Sequence, residues 1–307
     1  MTEHFYVIAA TEPDRDLAFA EADALAPGAC PSPHIWVSER SVDAGRAGFM
    51  VLGAESIWRG REFGELLRLL EERPIQAHGF AIDSRKYPRR GGPVRQELCH
   101  QIGKRLVGHP NLDEPAVEFA LVLDEGEYYF GRITSRQSTD WHARIHKPFT
   151  FSAAIGPRVA RAAVNIASPE PSVLIDPCCG SGTIVIEAAT LGHTVAGFDR
   201  APEMPARARH NARHFGLDAL LGVGDARTLA GDFEVLVSNL PYDLFSPIPE
   251  GFYDDVLANL PGLASRMALF AARDLSLRIA AAGLDLEALI LQPTHSITRH
   301  LHLIGQE

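Results

Sequence analysis

Through residues 1 to 133 the apolar positions come in short runs separated by polar turns, which is the pattern of mixed strands and helices. Strands are predicted over Phe5–Ala10, His34–Val37, Gly48–Leu52 and Ala77–Ile82. Helices are predicted over Asp16–Leu25, stopped by Pro27-Gly28, over Glu62–Glu72, and over Val94–Leu106. The second of these carries Phe63, Leu66, Leu67 and Leu70 at helical spacing. Val117–Leu123 and Tyr128–Ile133 alternate around Asp124-Glu125-Gly126-Glu127 and predict a hairpin. Residues 1–133 thus read as an α+β region, and the polar, irregular stretch Thr134–Lys147 as a linker to a domain over 148–307.

The periodicity changes after Ser152. Ile155, Val159, Ala163 and Ile166 set an apolar stripe on one helix that ends before Pro169 and Pro171. Strand-like runs then recur at Val173–Asp176, Thr194–Phe198, Ala219–Val223, Glu234–Ser238, Met267–Ala272, Leu286–Leu291 and His300–Ile304, with helical patterns between most of them. Strand alternating with helix predicts a doubly wound α/β sheet of seven strands. Only Gln292–Thr298 separates the last two, so they are expected to pair antiparallel.

Composition narrows the class. The chain has 307 residues, 46% hydrophobic and 22% charged, which excludes a mostly disordered, collagenous or coiled-coil protein. No run approaches the roughly 18 apolar residues of a membrane helix, and the first residues lack the basic region of a secretory signal, so a cytoplasmic location is expected. Cys30, Cys99, Cys178 and Cys179 form no CxxC pair, which gives no disulfide framework and no metal site. The formal net charge of −10 argues against a protein that coats nucleic acid without selectivity. Yet residues 85–105 hold Arg85, Lys86, Arg89, Arg90, Arg95, Lys104 and Arg105 against Glu97 alone, a candidate face for an anionic partner.

The strongest chemical signal runs from Val173 to Ala189. A buried strand ends in Asp176, followed by Pro177, Cys178, Cys179, the glycine turn Gly180-Ser181-Gly182, and Thr183 at the head of an apolar helix. Glycines there permit a tight turn and close approach of backbone to ligand. Asp199, followed by Arg200, ends the next strand, where a carboxylate accepts from ribose hydroxyls. Asp225-Ala226 follows the third strand, within reach of an adenine amino group. A dinucleotide site is the rival, but the turn is not G-x-G-x-x-G, and Asp176 would repel a pyrophosphate. S-adenosylmethionine has no phosphate and carries an ammonium and a sulfonium that a carboxylate attracts.

After the fourth strand stands Asn239-Leu240-Pro241-Tyr242. An aromatic amine is a poor nucleophile because its lone pair is delocalised into the ring. The Asn239 Oδ1 and the Leu240 carbonyl can accept its two N–H groups and hold the nitrogen toward a methyl donor. Tyr242 is expected to stack on the base, which must leave its own stack to enter such a pocket. The transfer then needs neither metal nor covalent intermediate. Guanine N2, adenine N6 in RNA or DNA, and a small-molecule amine all satisfy this chemistry.

These residues carry a resemblance. Lys147-Pro-Phe-Thr-Phe-Ser152, Gly156–Ala167, Asp176–Thr183, Gly197–Arg200, Gly224–Arg227 and Asn239–Tyr242 make the chain similar to the archaeal-type tRNA (guanine-10-N2)-methyltransferases. The resemblance covers about half the chain and implies a class I methyltransferase fold with an antiparallel last strand. It also implies S-adenosylmethionine as cofactor, and Phe149, Thr150 and Ser152 over its methionine end. Asp243 stands where relatives often have glycine. The first half, best in Gln101–Asp113, Ala116–Leu123 and Tyr128–Arg132, resembles the THUMP module and its ferredoxin-like partner. That implies a tRNA-gripping region to which the basic cluster contributes. Some members of the family act with a small activating partner protein. His210 and His214, one helical turn apart without a third ligand nearby, read as a solvated face, and Cys178 and Cys179 as small packing residues. Tyr253-Asp254-Asp255 reads as an acidic helix start.

Overall fold

The computed structural model describes residues 2–89, 92–150, 154–242, 248–294 and 297–305. The chain divides into two compact units, Met1–Ala9 with Ala26–Gln137, and Ala10–Leu25 with Ser138–Glu307. This differs from the boundaries expected at 133 and 147. Helix α1 (Arg15–Leu25) belongs to the second unit, with Leu17, Ala18, Ala22 and Leu25 buried. Its Glu21, also fully buried, accepts a 2.7 Å hydrogen bond from Asn165. Apolar periodicity marks α1 as amphipathic but does not say which core receives its face.

In the first unit, β1 (His4–Ile8), β2 (Gly28–Ser32), β3 (Ile35–Ser38), β4 (Met50–Gly60), β5 (Phe80–Tyr87), β6 (Val117–Asp124) and β7 (Glu127–Arg136) form one sheet in the order β2-β3-β1-β4-β7-β6-β5. Only β5 and β6 pair in parallel. Helices α2 (Phe63–Glu72) and α3 (Arg95–Gly103) share a core with one face of it. The alternation along β6 is clean: Phe119 and Leu121 join that core, while Ala120 and Val122 join a second cluster with Phe5, Val7 and Leu52. The hairpin turn between β6 and β7 forms where expected, with positive φ at Glu125 and Gly126. Strand β2 is not among the expected strands; it accommodates Pro31 because it is an edge strand, where a missing N–H costs no ladder bond. Strand β5 runs to Tyr87 rather than stopping at Ile82, for it is the other edge and tolerates Asp83, Ser84, Arg85 and Lys86.

In the second unit, β8 (Val173–Asp176), β9 (Thr194–Asp199), β10 (Leu220–Val223), β11 (Phe233–Asn239), β12 (Ala264–Ala271), β13 (Asp285–Pro293) and β14 (Thr298–Gly305) are ordered β10-β9-β8-β11-β12-β14-β13. All pairs from β10 to β12 are parallel, while β14 runs antiparallel between β12 and β13. This is the class I methyltransferase architecture expected. The helices are α4 (Trp141–Ile145), α5 (Pro157–Ala167), α6 (Thr183–Thr190), α7 (Glu203–His214), α8 (Phe252–Asn259) and α9 (Ser276–Ala281). Ile175, Leu236, Met267, Leu269, Val256, Leu257 and Ile279 belong to one core. The order reverses between β8 and β11, which leaves a crevice at their carboxyl ends.

The expected linker is structured. Thr134–Arg136 complete β7, and α4 brings Arg144 inward. The Arg144 Nε lies 2.5 Å from the Glu187 Oε1, and the Arg161 Nε 2.9 Å from Oε2. All three side chains are buried, so one carboxylate on α6 holds two guanidinium groups from different helices. Glu187→Ala is expected to lower unfolding free energy by about 3–5 kcal/mol in urea titrations, because it removes the carboxylate that two buried cations share. Replacing all three residues by apolar side chains of matching size is expected to recover most of that loss.

Candidate active site

A cavity of about 390 Å3 opens at the switch point. Its wall includes the ends of β8, β9 and β11, the turns that follow them, and residues of α6, α7 and α8. Of the residues expected to bind cofactor, Asp176, Pro177, Cys179, Gly180, Thr183, Asp199, Arg200, Asp225, Ala226 and Asn239 line it. Leu240, Pro241 and Tyr242 line the same cavity.

Asp176 is the buried end of β8. Its Oδ1 accepts from the Ser238 Oγ at 2.7 Å and from the Cys178 N–H at 3.1 Å, tying β11 and the glycine turn to β8. Burial pushes its carboxyl up to about 7, against the pull of those two bonds, and nearby Asp199 adds to the rise. Asp199 holds the turn from the other side. Its Oδ2 accepts from the Gly180 N–H at 2.9 Å and its Oδ1 from the Ala201 N–H at 3.0 Å. Gly182, at φ +86°, caps α6 rather than lining the cavity; a Cβ there would meet the Ala208 Cβ at 2.9 Å. Burial and the adjacent carboxylates push both Cys178 and Cys179 thiols upward, so they stay protonated. Cys178 lines the cavity alongside Cys179.

Asp225 differs from Asp176. The Arg227 guanidinium grips its carboxylate at 2.6 and 3.0 Å and holds it down to about 2. It faces the cavity as a permanent anion already paired on one side.

At the end of β11, the Tyr242 hydroxyl donates to the Asn239 Oδ1 and accepts from the Arg299 Nε at 3.2 Å. The ring is 4% exposed, and burial raises the phenol above its ordinary range. Tyr242 therefore packs as a buried wall of the cavity rather than standing clear as an open stacking platform. Tyr253, read from sequence only as part of a helix start, donates through its hydroxyl to the Pro241 carbonyl at 2.9 Å.

Phe149 and Thr150, expected over the cofactor, are exposed and do not line the cavity; Ser152 and Asp243 lie outside the described residues. Asn211, buried in α7, clamps this segment. It donates to the carbonyls of Phe149 and Ser181 and accepts from the Phe149 N–H, all within 2.9 Å. Nothing in the sequence around Asn211 distinguished it from a polar helix residue. The His210 ring packs edge-on to Phe149, and no three potential metal ligands cluster among the described residues. Lys147, expected as the linker's end and the head of the matching stretch Lys147–Ser152, is buried and donates to the Thr183 Oγ1; burial lowers its amine to about 8 despite Glu187.

The basic cluster of the first unit is partly neutralised. Arg85 pairs with Asp83 at 3.1 Å and Arg105 with Glu71 at 2.7 Å, acids that lie outside residues 85–105. Lys86 and Arg95 donate to the Pro93 and Ser84 carbonyls. Arg89 and Lys104 are exposed, and Arg90 lies outside the described residues.

Residues 144–244 match the UPF0020 family, described as an RMKL-like methyltransferase domain. A tRNA (guanine(10)-N2)-dimethyltransferase of Methanothermobacter thermautotrophicus is 27% identical over 225 residues, 66% of each chain. A protein of the same description from Pyrococcus abyssi is 33% identical over 203 residues, 62% of this chain and 60% of its own. The chain thus spans under two thirds of the length of these relatives. The crystal structure of TrmN from Thermus thermophilus matches all of both chains with a TM-score of 0.55 at 22% identity, which shows the shared fold.

Because the folded Asp176 titrates near 7 and an unfolded aspartate near 3.8, Asp176 is protonated in both states at low pH. As pH rises from about 4 to about 7, the unfolded chain gives up this proton before the folded one, and stability contributed by the neutral acid is lost. Asp176→Asn keeps an Oδ1 acceptor for Ser238 and Cys178 and carries no charge. Its urea midpoint is expected to rise relative to that of the unliganded wild type between pH 5 and 8; a constant difference would refute the assignment.

Proposed function

We propose that this chain transfers a methyl group from S-adenosylmethionine to the exocyclic N2 amine of a guanosine in tRNA. The observation that carries the reading is a shared wall: Asn239–Tyr242 borders the same cavity as the strand-end acids Asp176, Asp199 and Asp225.

The residues fit that cofactor. Three carboxylates would oppose a pyrophosphate but suit a ligand with an ammonium, a ribose and an amino-substituted base. Asp176, adjoining the glycine turn, would face the cationic methionine end. Asp199 would receive the ribose hydroxyls, and Asp225 the adenine amino group. Ile184, Met204 and Phe252 supply apolar wall. The cofactor, when bound, supplies an electrophilic methyl group on a sulfonium.

The remaining chemistry belongs to the chain. An amide oxygen carries two lone pairs, so the Asn239 Oδ1 can accept from Tyr242 and from an amine N–H together. The Leu240 carbonyl is the second acceptor. Two acceptors hold the amine by its hydrogens, turn its nitrogen toward the methyl donor, and stabilise the positive charge that grows there. The thiols of Cys178 and Cys179, held protonated, take no part as nucleophiles.

Similarity to two enzymes described as tRNA guanine-N2 dimethyltransferases supports the choice of guanosine over adenine N6. In this reading the first unit is a THUMP-like RNA grip that uses Arg89 and Lys104 together with its partly paired cations, and the enzyme works on cytoplasmic tRNA. Among the described residues, no helix is long and apolar enough to cross a membrane.

Incubation with labelled S-adenosylmethionine and unmodified tRNA transcripts, followed by nucleoside mass spectrometry, is expected to yield N2-methylated guanosine. Asn239→Ala is expected to cut the rate by about 100-fold or more while leaving cofactor affinity nearly unchanged. N6-methyladenosine as the product would overturn the guanine assignment.

A further inference from the structure

A line of hydrogen bonds runs from Asp14 to the Asn239–Tyr242 segment, and donation in it runs outward from Arg299 toward both ends. It begins at Asp14, in the short helical turn Glu12–Asp14 that precedes α1. The Asp14 Oδ1 accepts from the Gln292 Nε2 at 3.0 Å. Gln292 on β13 pairs in register with Arg299 on β14. The Gln292 Oε1 accepts from the Arg299 Nη1 at 3.2 Å. The Arg299 Nε then donates to the Tyr242 hydroxyl oxygen at 3.2 Å, and the Tyr242 hydroxyl donates to the Asn239 Oδ1. Gln292 and Tyr242 are buried, while Asp14 and Arg299 are half-buried, so each bond between them has one end shielded from water.

The two charged members decide the polarity. An ionised carboxylate only accepts, so Asp14 draws the amide nitrogen of Gln292 toward itself and turns Oε1 to Arg299. A guanidinium only donates, so the Tyr242 oxygen must accept from it, and the hydroxyl hydrogen is left for Asn239. An asparagine amide can sit either way round. A donor at the Tyr242 oxygen disfavours the alternative in which that oxygen accepts from the Asn239 Nδ2 and an amide NH2 stands where an amine substrate needs an acceptor.

We infer that Arg299 is a positioning residue that acts through Tyr242 to keep the Asn239 Oδ1 in the orientation that receives an exocyclic amine. The assignment rests on the function proposed above for Asn239, and it adds a residue from the antiparallel hairpin to that site. Gln292 and Asp14 hold Arg299 in turn. None of the three carries a signal in the sequence: Arg299 sits beside the expected last strand, and Asp14 lies more than 200 residues before the segment it helps to orient.

The test compares wild type, Arg299→Met, Arg299→Lys, Tyr242→Phe and the double variant Arg299→Met with Tyr242→Phe. Arg299→Met is expected to lower kcat for methyl transfer by about 10–100-fold, the scale on which groups that orient a reacting residue act. Its dissociation constant for S-adenosylmethionine should stay within about twofold of wild type, and Arg299→Lys should recover part of kcat. In the Tyr242→Phe background the arginine substitution should add nothing, since the connection is already cut. An equal further loss in that background, or no loss in Arg299→Met alone, would overturn the inference. A second readout does not depend on activity: in protein labelled with 13C at tyrosine Cζ, the resonance absent from Tyr242→Phe is expected to move in Arg299→Met and return partway in Arg299→Lys. If wild type methylates no tRNA, the proposed function fails and this resonance alone decides: a shift sustains the contact from Arg299 to Tyr242, and an unmoved line overturns it.

Discussion

The site depends on a carboxylic acid buried at the point where the sheet reverses its order. Asp176 ends β8, and its single oxygen Oδ1 joins that strand to Ser238 of β11 and to the turn at Cys178. Burying an acid there is costly, which is why its proton affinity rises so far. The arrangement is stable enough to persist because the neighbouring backbone and hydroxyl supply its hydrogen bonds. A cationic group arriving beside it would favour the ionised form, so the strain of burial is relieved by the kind of ligand the cavity suits.

The acids of the three strand ends divide their tasks by environment. Asp176 is dry and hard to ionise, whereas Asp225 is gripped by Arg227 and remains an anion to low pH. Asp199 spends both oxygens on backbone N–H groups and so shapes the turn that it also faces. The same residue type thus supplies a buried acid that resists ionisation, a structural brace and a fixed anion.

Support for the cavity comes from further out. Glu187 of α6 gathers Arg144 and Arg161, and Asn211 of α7 ties the Phe149 backbone to the glycine turn. These contacts tie α4 and α5 to α6, and the Phe149 backbone and the glycine turn to α7. On the opposite side, Tyr253 and Arg299 hold the Asn239–Tyr242 segment through its Pro241 carbonyl and its tyrosine hydroxyl. The Asn239–Tyr242 segment is therefore braced by groups from α8 and β14 as well as by its own strand.

The doubly wound sheet, the glycine turn, the three strand-end acids and the Asn239–Tyr242 segment were legible in the sequence, because each depends on short-range pattern. Strand period, glycine spacing and the residue at a strand's end are all local properties. What the tertiary structure decided was which distant groups meet. It assigned α1 to the second unit, turned the expected linker into the source of Arg144 and Lys147, and paired Arg85 and Arg105 with acids outside their own stretch. It moved Phe149 and Thr150 out of the cavity wall and made Tyr242 a buried hydrogen-bonded residue. Hydrogen bonds and ion pairs between residues far apart in the chain follow from packing, and packing leaves no period in the sequence from which they could be read.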